Sequence, residues 1–299
     1  MRTVESVAPP DLPSQQFPPR PSHVSTPSEQ DAYILGTASI ELQRLALQNR
    51  IWSEVTEALW DVAGFSEGQQ LLELGCGPGF SSLALAKRTG ANGRVLAWDR
   101  SAQFLEHLKD AAAAKEYHWI DTHHGDVTPK LDPSLHKQFD GVYARWLVCW
   151  MERPEDAIQL AAQALRPGGK LVLHDYFHYH ALEFWPQNPA FREGIDAVEK
   201  AWRATGGDPS IGVRLQDLVK ANGFKVSSAK ICTRFATAKQ QLWQWPASFF
   251  PSFLGQLRED GYLSRAQVDA FLHAFDVSME HPKGMFLAPP MLELVAEKL

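Results

Sequence analysis

The sequence predicts an α/β fold in which parallel strands carry a ligand site at their carboxyl ends. A short apolar run, Leu71–Leu74, leads into a glycine-rich turn and then into a helical pattern. A second run, Arg94–Trp98, ends in Asp99. Patterns of strand and helix then alternate as far as Tyr176, and this alternation is typical of a parallel sheet covered by helices.

The glycine-rich turn spans residues 75–79 (GCGPG) and closely follows Glu73. Glycine adopts dihedral angles closed to other residues and leaves room for a ligand against the main chain. A dinucleotide-binding turn spaces its glycines G-x-G-x-x-G. Here the third glycine comes one residue early and Phe80 occupies its place. A bare structural turn is the remaining alternative.

Two phrases resemble the motifs of one family. Residues 71–80 (LLELGCGPGF) resemble the first motif of the class I S-adenosylmethionine (SAM)-dependent methyltransferases. Residues 165–171 (LRPGGKL) resemble the late motif of the small-molecule members, such as those of ubiquinone and menaquinone biosynthesis. The resemblance extends over roughly residues 69–176. It implies a Rossmann-like sheet of seven strands, mostly parallel with the last strand antiparallel, and SAM as the cofactor.

Asp99 is the first cofactor candidate beyond the turn. A carboxylate at the end of the second strand can accept hydrogen bonds from both ribose hydroxyls of an adenosine ligand. The alternative is a role at the N-terminus of the helix that begins after Ser101. The two roles are compatible, because a carboxylate has several acceptor sites.

The resemblance assigns further cofactor residues. An acid after the third strand, here Asp126, would hydrogen-bond the adenine amino group, and Val127 would pack against the ring; a simple Gly-Asp turn is the alternative. Arg145 would hold the cofactor's carboxylate or steer an acidic substrate group, with an ordinary ion pair as the alternative. The complete predicted cofactor set is Tyr33, Glu73, Gly75, Cys76, Gly77, Gly79, Asp99, Arg100, Asp126, Val127 and Arg145.

A helix is predicted over residues 31–63, with Gly36 as the point where it would break. Glu41 and Arg44 are spaced for an i,i+3 ion pair on the side opposite the apolar face. The phrase that begins at Tyr33 resembles the helix that lies over the cofactor in small-molecule methyltransferases. Tyr33 would then close over the cofactor and Arg44 or Gln48 would face it; alternatively, Tyr33 only anchors the helix. The predicted apolar face consists of Leu45, Trp52, Val55, Leu59 and Val62.

Two long insertions, 178–211 and 238–284, are rich in aromatic residues. Segments of this length usually carry function or helices of their own. Most of their aromatic side chains would form a helical core, and the rest would line a cavity for a mainly apolar or aromatic small molecule. Trp146, Tyr176 and Trp245 are the predicted substrate contacts.

Candidates for a general base gather at the end of the fifth strand. A base is needed only if the acceptor enters protonated, because methyl transfer is an in-line displacement that depends mainly on alignment. His178 is the first candidate and His174 the second, with Asp175 and Tyr176 as hydrogen-bonding partners. A metal site that includes His180 is the alternative, but the irregular spacing argues against it, and we expect no metal. A further alternative is that two of the three histidines, His174, His178 and His180, are only polar surface residues.

The predicted organisation has four parts. Residues 1–30 form a proline-rich, disordered leader, residues 31–66 a helical cap, residues 67–177 the SAM-binding core, and residues 178–299 the lid insertions and the C-terminal strands. A helix over 214–222 and strands over 224–231 and 291–297 would complete the sheet.

Composition restricts the class of protein. At 299 residues and 44% hydrophobic content, the chain is long enough to bury a sizeable core. The formal net charge of −6 argues against a nucleic-acid partner, because phosphate binding needs a concentrated basic surface. Three widely spaced cysteines favour reduced, intracellular thiols, and no apolar run is long enough to span a bilayer. A cytoplasmic location is therefore expected by default.

The sequence thus predicts a SAM-dependent methyltransferase that acts on a small, mainly apolar or aromatic acceptor, with O-, N- or C-methylation left open. One alternative is a protein that binds SAM without transferring a methyl group, as a regulator or as the catalyst of another reaction. The other is an NAD(P)-dependent oxidoreductase, which the glycine spacing disfavours. The sequence does not predict the acceptor or the oligomeric state.

Overall fold

The computed structural model describes residues 39–299, and this part of the chain alternates strands and helices as predicted. The strands are β1 (Gln70–Leu74), β2 (Arg94–Asp99), β3 (Ile120–His124), β4 (Phe139–Arg145), β5 (Leu165–Tyr176), β6 (Glu183–Trp185), β7 (Phe224–Cys232), β8 (Phe235–Thr237), β9 (Met285–Leu287) and β10 (Met291–Lys298). The α-helices are α1 (Ser39–Ala63), α2 (Phe80–Thr89), α3 (Ala102–Ala114), α4 (Pro154–Ala164), α5 (Pro189–Ala204), α6 (Gly212–Ala221), α7 (Gln244–Glu259) and α8 (Arg265–Glu280).

Seven strands form the main sheet in the order β3-β2-β1-β4-β5-β10-β7. The first five of these pair in parallel, whereas β10 pairs antiparallel with both β5 and β7. The prediction of a mostly parallel, seven-stranded sheet with an antiparallel last strand is confirmed. Leu71, Leu72, Val142 and Val172 are fully buried, as expected for central strands that helices cover on both faces.

The boundaries of some elements differ from the predictions. Strand β3, predicted near residues 118–122, begins at Ile120, and helix α6, predicted over 214–222, begins at Gly212. The sequence pattern predicts a helix from about Pro154 to Leu165 and a fifth strand from Lys170 to Tyr176, but strand β5 begins at Leu165 and includes the Arg-Pro-Gly-Gly segment. This segment pairs with β4 through a shift of register between Phe139 and Gly141. The proline and glycines therefore end helix α4, as predicted, and continue directly as strand.

Helix α1 confirms the predicted N-terminal helix from Ser39 onward. The earlier positions Tyr33 and Gly36 lie outside the described residues. The predicted pair of Glu41 and Arg44 is present, with Nη2 of the arginine 2.6 Å from Oε1 of the glutamate. Both side chains are buried, so the pair does not lie on an open face as the sequence pattern indicated.

The buried face of α1 differs in part from the predicted one. Trp52 and Leu59 are buried as expected, whereas Val62 is 52% exposed, so that prediction is wrong. Thr56 and Trp60 are buried instead. An α-helix has 3.6 residues per turn, so the set of positions that faces the core shifts steadily along its length. In the last turn of α1, Val62 no longer belongs to that set.

The two insertions form a helical lid with a small sheet of its own. Helices α5, α7 and α8 pack against one another, and β6, β9 and β8 form a separate antiparallel sheet. Phe184, Phe250, Phe271 and Phe286 are fully buried there, with the ring centroids of Phe184 and Phe286 5.0 Å apart. The sequence does not predict this sheet, because three-residue strands show too little alternation to be recognised.

None of the described helices combines the length with the apolar character needed to cross a membrane. The longest, α1, has 25 residues but carries charged side chains along its whole length. Its length therefore serves packing against both the sheet and the lid helix α7.

Candidate functional site

A cavity lies where the carboxyl ends of β1 and β4 meet the lid. The strand order reverses between these two strands, and the crevice at such a point is the usual ligand site of an open α/β sheet. The floor consists of Glu73, Gly75, Cys76, Gly77, Pro78, Phe80 and Ser81, and α1 contributes Arg44, Leu45, Gln48 and Asn49. The remaining wall is mainly aromatic and includes Trp146, Trp150, Tyr176, Tyr179, Trp202, Trp245, Phe249, Phe250 and Phe286.

The glycine-rich turn presents one stretch of main chain to the cavity. The N–H of Gly75 donates to the carbonyl oxygen of Trp98 at 2.8 Å. Gly77 lines the cavity with φ of 54°, and a Cβ atom there would meet no atom within 4 Å. A Cβ atom at Gly79 would instead overlap the side chain of Leu108. Gly77 therefore faces the open space of the cavity, whereas Gly79 permits α2 to pack on α3.

Asp99 ties this turn to the second strand. Its Oδ2 accepts from the N–H of Gly77 at 2.7 Å, and its Oδ1 accepts from the N–H of Ser101 at 2.8 Å. The hydroxyl of Ser101 in turn accepts from the N–H of Phe104 and caps α3. Burial raises the pKa of Asp99, while these hydrogen bonds oppose the shift. A carboxylate has about four acceptor sites, so these main-chain bonds leave acceptor capacity for a ligand.

Glu73 is a buried carboxyl group in the floor. Its Oε2 accepts from the hydroxyl of Ser82 at 2.5 Å. Burial raises the pKa of Glu73 to about 7, and the bond from Ser82 and the charge of Arg145 only partly offset this effect. The group is therefore poised to lose its proton near neutrality, when a positive charge comes close.

Arg145, at the end of β4, is held by neutral oxygen atoms. Its Nη1 donates to Oγ1 of Thr56 at 2.8 Å, and its Nη2 donates to Oδ1 of Asn49 at 2.7 Å and to Oγ of Ser81 at 3.0 Å. No carboxylate of the described residues lies within ion-pair distance of this guanidinium. The side chain lines the cavity as a positive charge, and the ordinary ion pair considered from the sequence is not formed there.

The aromatic wall is organised around Trp146. Its ring is nearly parallel to that of Trp245, with centroids 6.0 Å apart, and to that of Tyr176, with centroids 6.1 Å apart. The guanidinium carbon of Arg145 lies 4.9 Å from the Trp146 ring centroid. Trp146 has φ of 51°, an unusual backbone angle for a bulky residue. The three predicted substrate residues thus lie together in the cavity wall.

Neither histidine proposed as a base lies in the wall of this cavity. His174 is fully buried behind Trp146, and no described group forms a hydrogen bond with either ring nitrogen. Burial, helped by the charge of Arg145, lowers the pKa of His174 to about 3. His178 is exposed, with its Nδ1 3.4 Å from Oγ of Ser210. At a pKa of about 3, the buried imidazole of His174 stays neutral at pH 7.

The neighbouring polar groups of β5 also have other partners. The two carboxylate oxygens of Asp175 accept from the N–H groups of Cys149 and Tyr176, at 3.2 and 2.8 Å. His180 approaches Glu199, with Nδ1 and Oε2 3.3 Å apart. Over residues 39–299, no group of three histidine, cysteine, aspartate or glutamate side chains is arranged to hold a metal ion.

The remaining predicted cofactor residues lie away from the cavity wall. Arg100 and Asp126 are exposed at the ends of β2 and β3, and Val127 is half-buried against the core. Tyr33 is outside the described residues. The structure therefore brings together Glu73, Gly75, Cys76, Gly77 and Arg145 around the cavity, with Asp99 directly behind the turn.

Sequence reasoning missed several residues that the cavity includes. Ser81 lines the cavity and Ser82 donates to Glu73 in its floor. Both lie in the first turn of α2, and two hydroxyls directly after a glycine-rich turn were the signal that could have shown them. Asn49 and Tyr179 carry no such signal. They reach the site only because α1 and the lid fold over the sheet edge.

Comparison with known proteins agrees with this geometry. Residues 72–173 match the protein family described as "Methyltransferase domain". The chain is 29% identical over 149 residues to a 2-phytyl-1,4-naphtoquinone methyltransferase of Trichormus variabilis, covering 48% of this chain and 58% of the relative. It is 22% identical over 199 residues to methyltransferase str3 of Strobilurus tenacellus, covering 67% and 68%. The matches span between a quarter and about two thirds of the first curated relatives.

Solved structures show the same fold. The geranyl diphosphate C-methyltransferase of Streptomyces coelicolor, solved with S-adenosyl-L-homocysteine, superposes with a TM-score of 0.52 at 15% identity over 91% of each chain. The [4+2]-cyclase SpnF superposes with a TM-score of 0.51 at 19% identity, over 82% of this chain and 80% of that one. Residues 72–173 therefore match a methyltransferase domain, the surrounding sheet has the fold of class I SAM-dependent methyltransferases, and SAM is the cofactor that this family of domains binds.

Proposed function

We propose that this protein transfers a methyl group from SAM to a small, mainly aromatic or apolar acceptor. One observation carries the proposal: a single cavity is lined both by the glycine-rich turn and by aromatic side chains of the lid. An adenosyl cofactor on the floor and a flat acceptor against the wall would meet in that space. The name of the Trichormus variabilis relative contains a naphthoquinone, which supports an aromatic acceptor.

The residues of the floor fit SAM. The open space in front of Gly77 would admit the ligand against the main chain. Asp99 would accept from the ribose hydroxyls through its remaining lone pairs. Arg145, which has no carboxylate partner among the described residues, would bind the carboxylate of the methionine part, and the buried Glu73 would face its ammonium group. A zwitterionic ligand therefore meets an opposite charge at each end.

SAM supplies an electrophilic methyl group on a sulfonium when it is bound. The protein's own contribution is to align the acceptor and to exclude water, and alignment alone can supply a large part of the acceleration. Trp146 and Trp245 would hold the plane of the acceptor, and the lid would close the cavity to solvent. Methylation needs no further group if the acceptor is already nucleophilic.

We propose that the acceptor is already nucleophilic when it enters the cavity, so that the enzyme needs no general base. His174 and His178, the candidates from the sequence, lie outside the cavity wall. Burial raises the pKa values of Tyr176 and Tyr179, which do line it, so neither phenol takes up a proton from an acceptor at neutral pH. An ionised phenol, an electron-rich ring carbon or a free amine would suit such a site.

Calorimetric titration with SAM, S-adenosylhomocysteine and NADH tests the cofactor. We expect the two adenosyl ligands to bind and NADH to produce no heat of binding. Incubation with methyl-labelled SAM and a panel of phenols, hydroxyquinones and anilines then tests transfer. Binding of NADH alone would contradict the proposal in favour of an oxidoreductase.

A second candidate is a SAM-binding protein that catalyses another reaction. The lack of a histidine in the described cavity wall favours it, and the shared fold with SpnF shows that this architecture also occurs in a protein named a cyclase. Tight adenosyl binding without any labelled product across the panel would support this candidate. Labelled product from an aromatic acceptor would exclude it.

A further inference from the structure

Gln48 connects the cap helix to the lid inside the cavity. It lies on α1 and lines the cavity. Its Oε1 accepts from Nε1 of Trp245 on α7 at 2.9 Å and from Nη1 of Arg44 at 3.1 Å. One amide oxygen thus uses both of its lone pairs on neighbouring side chains.

These two neighbours determine which way the amide points. The oxygen and nitrogen of a glutamine side chain are usually assigned only from their hydrogen-bond partners. Here both partners can only donate, because an indole nitrogen and a guanidinium have no acceptor. If the amide were rotated to exchange its oxygen and nitrogen, its –NH₂ group would face the N–H donors of Trp245 and Arg44. Both hydrogen bonds would then be lost. No described residue accepts a hydrogen bond from Nε2 of Gln48, so the –NH₂ group remains as a donor at the cavity wall.

The charges around this donor decide the class of ligand. Arg44, although paired with Glu41, lies 5.9 Å from the ring centroid of Phe249, and Arg145 lies 4.9 Å from that of Trp146. These aromatic rings therefore already have guanidinium groups at cation–π distance. An aromatic wall with positive charges beside it disfavours an acceptor that carries an ammonium group. It suits a flat ligand with an electron-rich oxygen atom.

We propose that Nε2 of Gln48 donates a hydrogen bond to an oxygen atom of the acceptor, and that the acceptor is an aromatic molecule with a carbonyl-type oxygen. Gln48 is then a specificity-determining residue. Trp245 is a positioning residue, because its indole N–H holds the amide in the donating orientation. The inference rests on the proposed function of the same cavity.

The test uses isosteric pairs of ligands in the protein saturated with S-adenosylhomocysteine. The pairs are acetophenone with α-methylstyrene, and 2-acetylnaphthalene with 2-isopropenylnaphthalene. Each pair differs only by C=O in place of C=CH₂, so shape and stacking are matched. Calorimetry measures the ratio of the two dissociation constants. We expect the wild type to prefer the ketone about fivefold, the usual net contribution of one neutral hydrogen bond.

Gln48→Glu is the decisive variant. Its carboxylate can accept from Trp245 and Arg44 as before, so the contacts that hold α1 to the lid are kept, but it offers no donor to the ligand. The preference should fall to one or below, while the alkenes bind as before. Trp245→Phe should also reduce the preference, because Arg44 alone then opposes turning of the amide. Gln43→Glu, at an exposed position on the same helix, is the matched control and should keep the wild-type ratio.

The outcomes separate this inference from the proposed function. Failure of the wild type to bind S-adenosylhomocysteine would contradict the proposed function itself. Normal cofactor binding with no preference for either ketone, or with binding of neither, would overturn the role of Gln48. A preference that persists in Gln48→Glu would overturn it as well. A preference lost in Gln48→Glu and kept in Gln43→Glu would establish it.

Discussion

The main-chain N–H of Gly77 donates to Oδ2 of Asp99 across 2.7 Å, so the acid at the end of the second strand holds the glycine-rich turn in place. The other carboxylate oxygen holds the N–H of Ser101 at the start of α3. Asp99 therefore holds both the glycine-rich turn and the start of α3. The proposed hydrogen bonds from a ribose are compatible with this role, because a carboxylate has further acceptor sites.

Replacing Asp99 by alanine should lower both stability and cofactor affinity. Two main-chain N–H groups would lose their acceptor in a buried place, which costs about 2 kcal/mol in the free energy of unfolding. Urea unfolding measures this change, and titration with S-adenosylhomocysteine measures the loss of affinity. Asp110→Ala, an exposed acid on α3, should change neither. Unaltered stability in Asp99→Ala would contradict the structural role, and unaltered affinity would contradict the ribose role.

The glycines of the turn should respond differently to substitution. Gly77→Arg places a side chain in the open space in front of the turn, so we expect binding of S-adenosylhomocysteine to be lost. The folded structure should be kept, at a cost of about 1 kcal/mol in the free energy of unfolding, because φ of 54° is unfavourable for a residue with a Cβ. Gly79→Ala should destabilise the fold, because its Cβ overlaps Leu108 and its φ of 82° is unfavourable for alanine. Circular dichroism and calorimetry distinguish the two effects. Normal cofactor binding by Gly77→Arg would refute the placement of the site.

The sequence predicts the sheet and its carboxyl edge well, because those features depend on local patterns. Each of these signals lies within a few residues of the element that it defines. They are the apolar run before Gly75, the carboxylate of Asp99, and the proline and glycines before Lys170 that end a helix. Alternation along β5 also predicts that His174 and Tyr176 share a face. Alternation does not predict how deeply a side chain is buried. His174 is fully buried next to Trp146, so the sequence could not show whether it is accessible as a general base.

Contacts between distant segments could not be predicted. Gln48 and Trp245 are 197 residues apart in the chain. No sequence motif that contains one of them predicts contact with the other. The three-residue strands of the lid sheet likewise depend on pairing across the insertions. The long-range part of the site, which governs the acceptor, is therefore visible only in the folded structure.

Trp146 should show a reversed order of stability between glycine and alanine. Its φ of 51° lies in the left-handed region, where a residue with a Cβ is strained by about 1 kcal/mol and glycine is not. Trp146→Gly should therefore be more stable than Trp146→Ala, by about that amount, although glycine normally lowers stability. Thermal unfolding of the two variants gives the difference. Both variants should lose affinity for aromatic acceptors to a similar degree, since both remove the same ring.

If Trp146→Ala proved the more stable of the two, the left-handed backbone at this position would be ruled out. If either variant bound aromatic ketones as tightly as the wild type, Trp146 would have no part in holding the acceptor. Cofactor affinity should change less than acceptor affinity in both, because the ring of Trp146 contacts Trp245 and Tyr176 of the aromatic wall.

Glu73 should make the protein less stable as the pH rises from about 4.5 to about 7. Burial raises its pKa from 4.5 to about 7 in the folded state, so over this range the unfolded chain releases a proton that the folded chain retains. The free energy of unfolding then falls with pH, and this one group contributes at most about 3 kcal/mol. Below pH 4.5 both states are protonated and the contribution is fully present. It is lost once the pH exceeds about 7.

Urea unfolding of Glu73→Gln at several pH values between 4.5 and 8 isolates this contribution. The amide oxygen can still accept from Ser82, but the group no longer titrates, so the fall in stability over this range should be smaller than in the wild type. Glu67→Gln, an exposed substitution in the loop before β1, controls for the loss of a negative charge. Because an ammonium group near Glu73 would favour the ionised carboxylate, SAM binding should also release protons near pH 6.5, and calorimetry in buffers of different ionisation enthalpy would detect them. An identical pH dependence in Glu73→Gln and the wild type would show that this carboxyl group does not titrate in the range that its buried position requires.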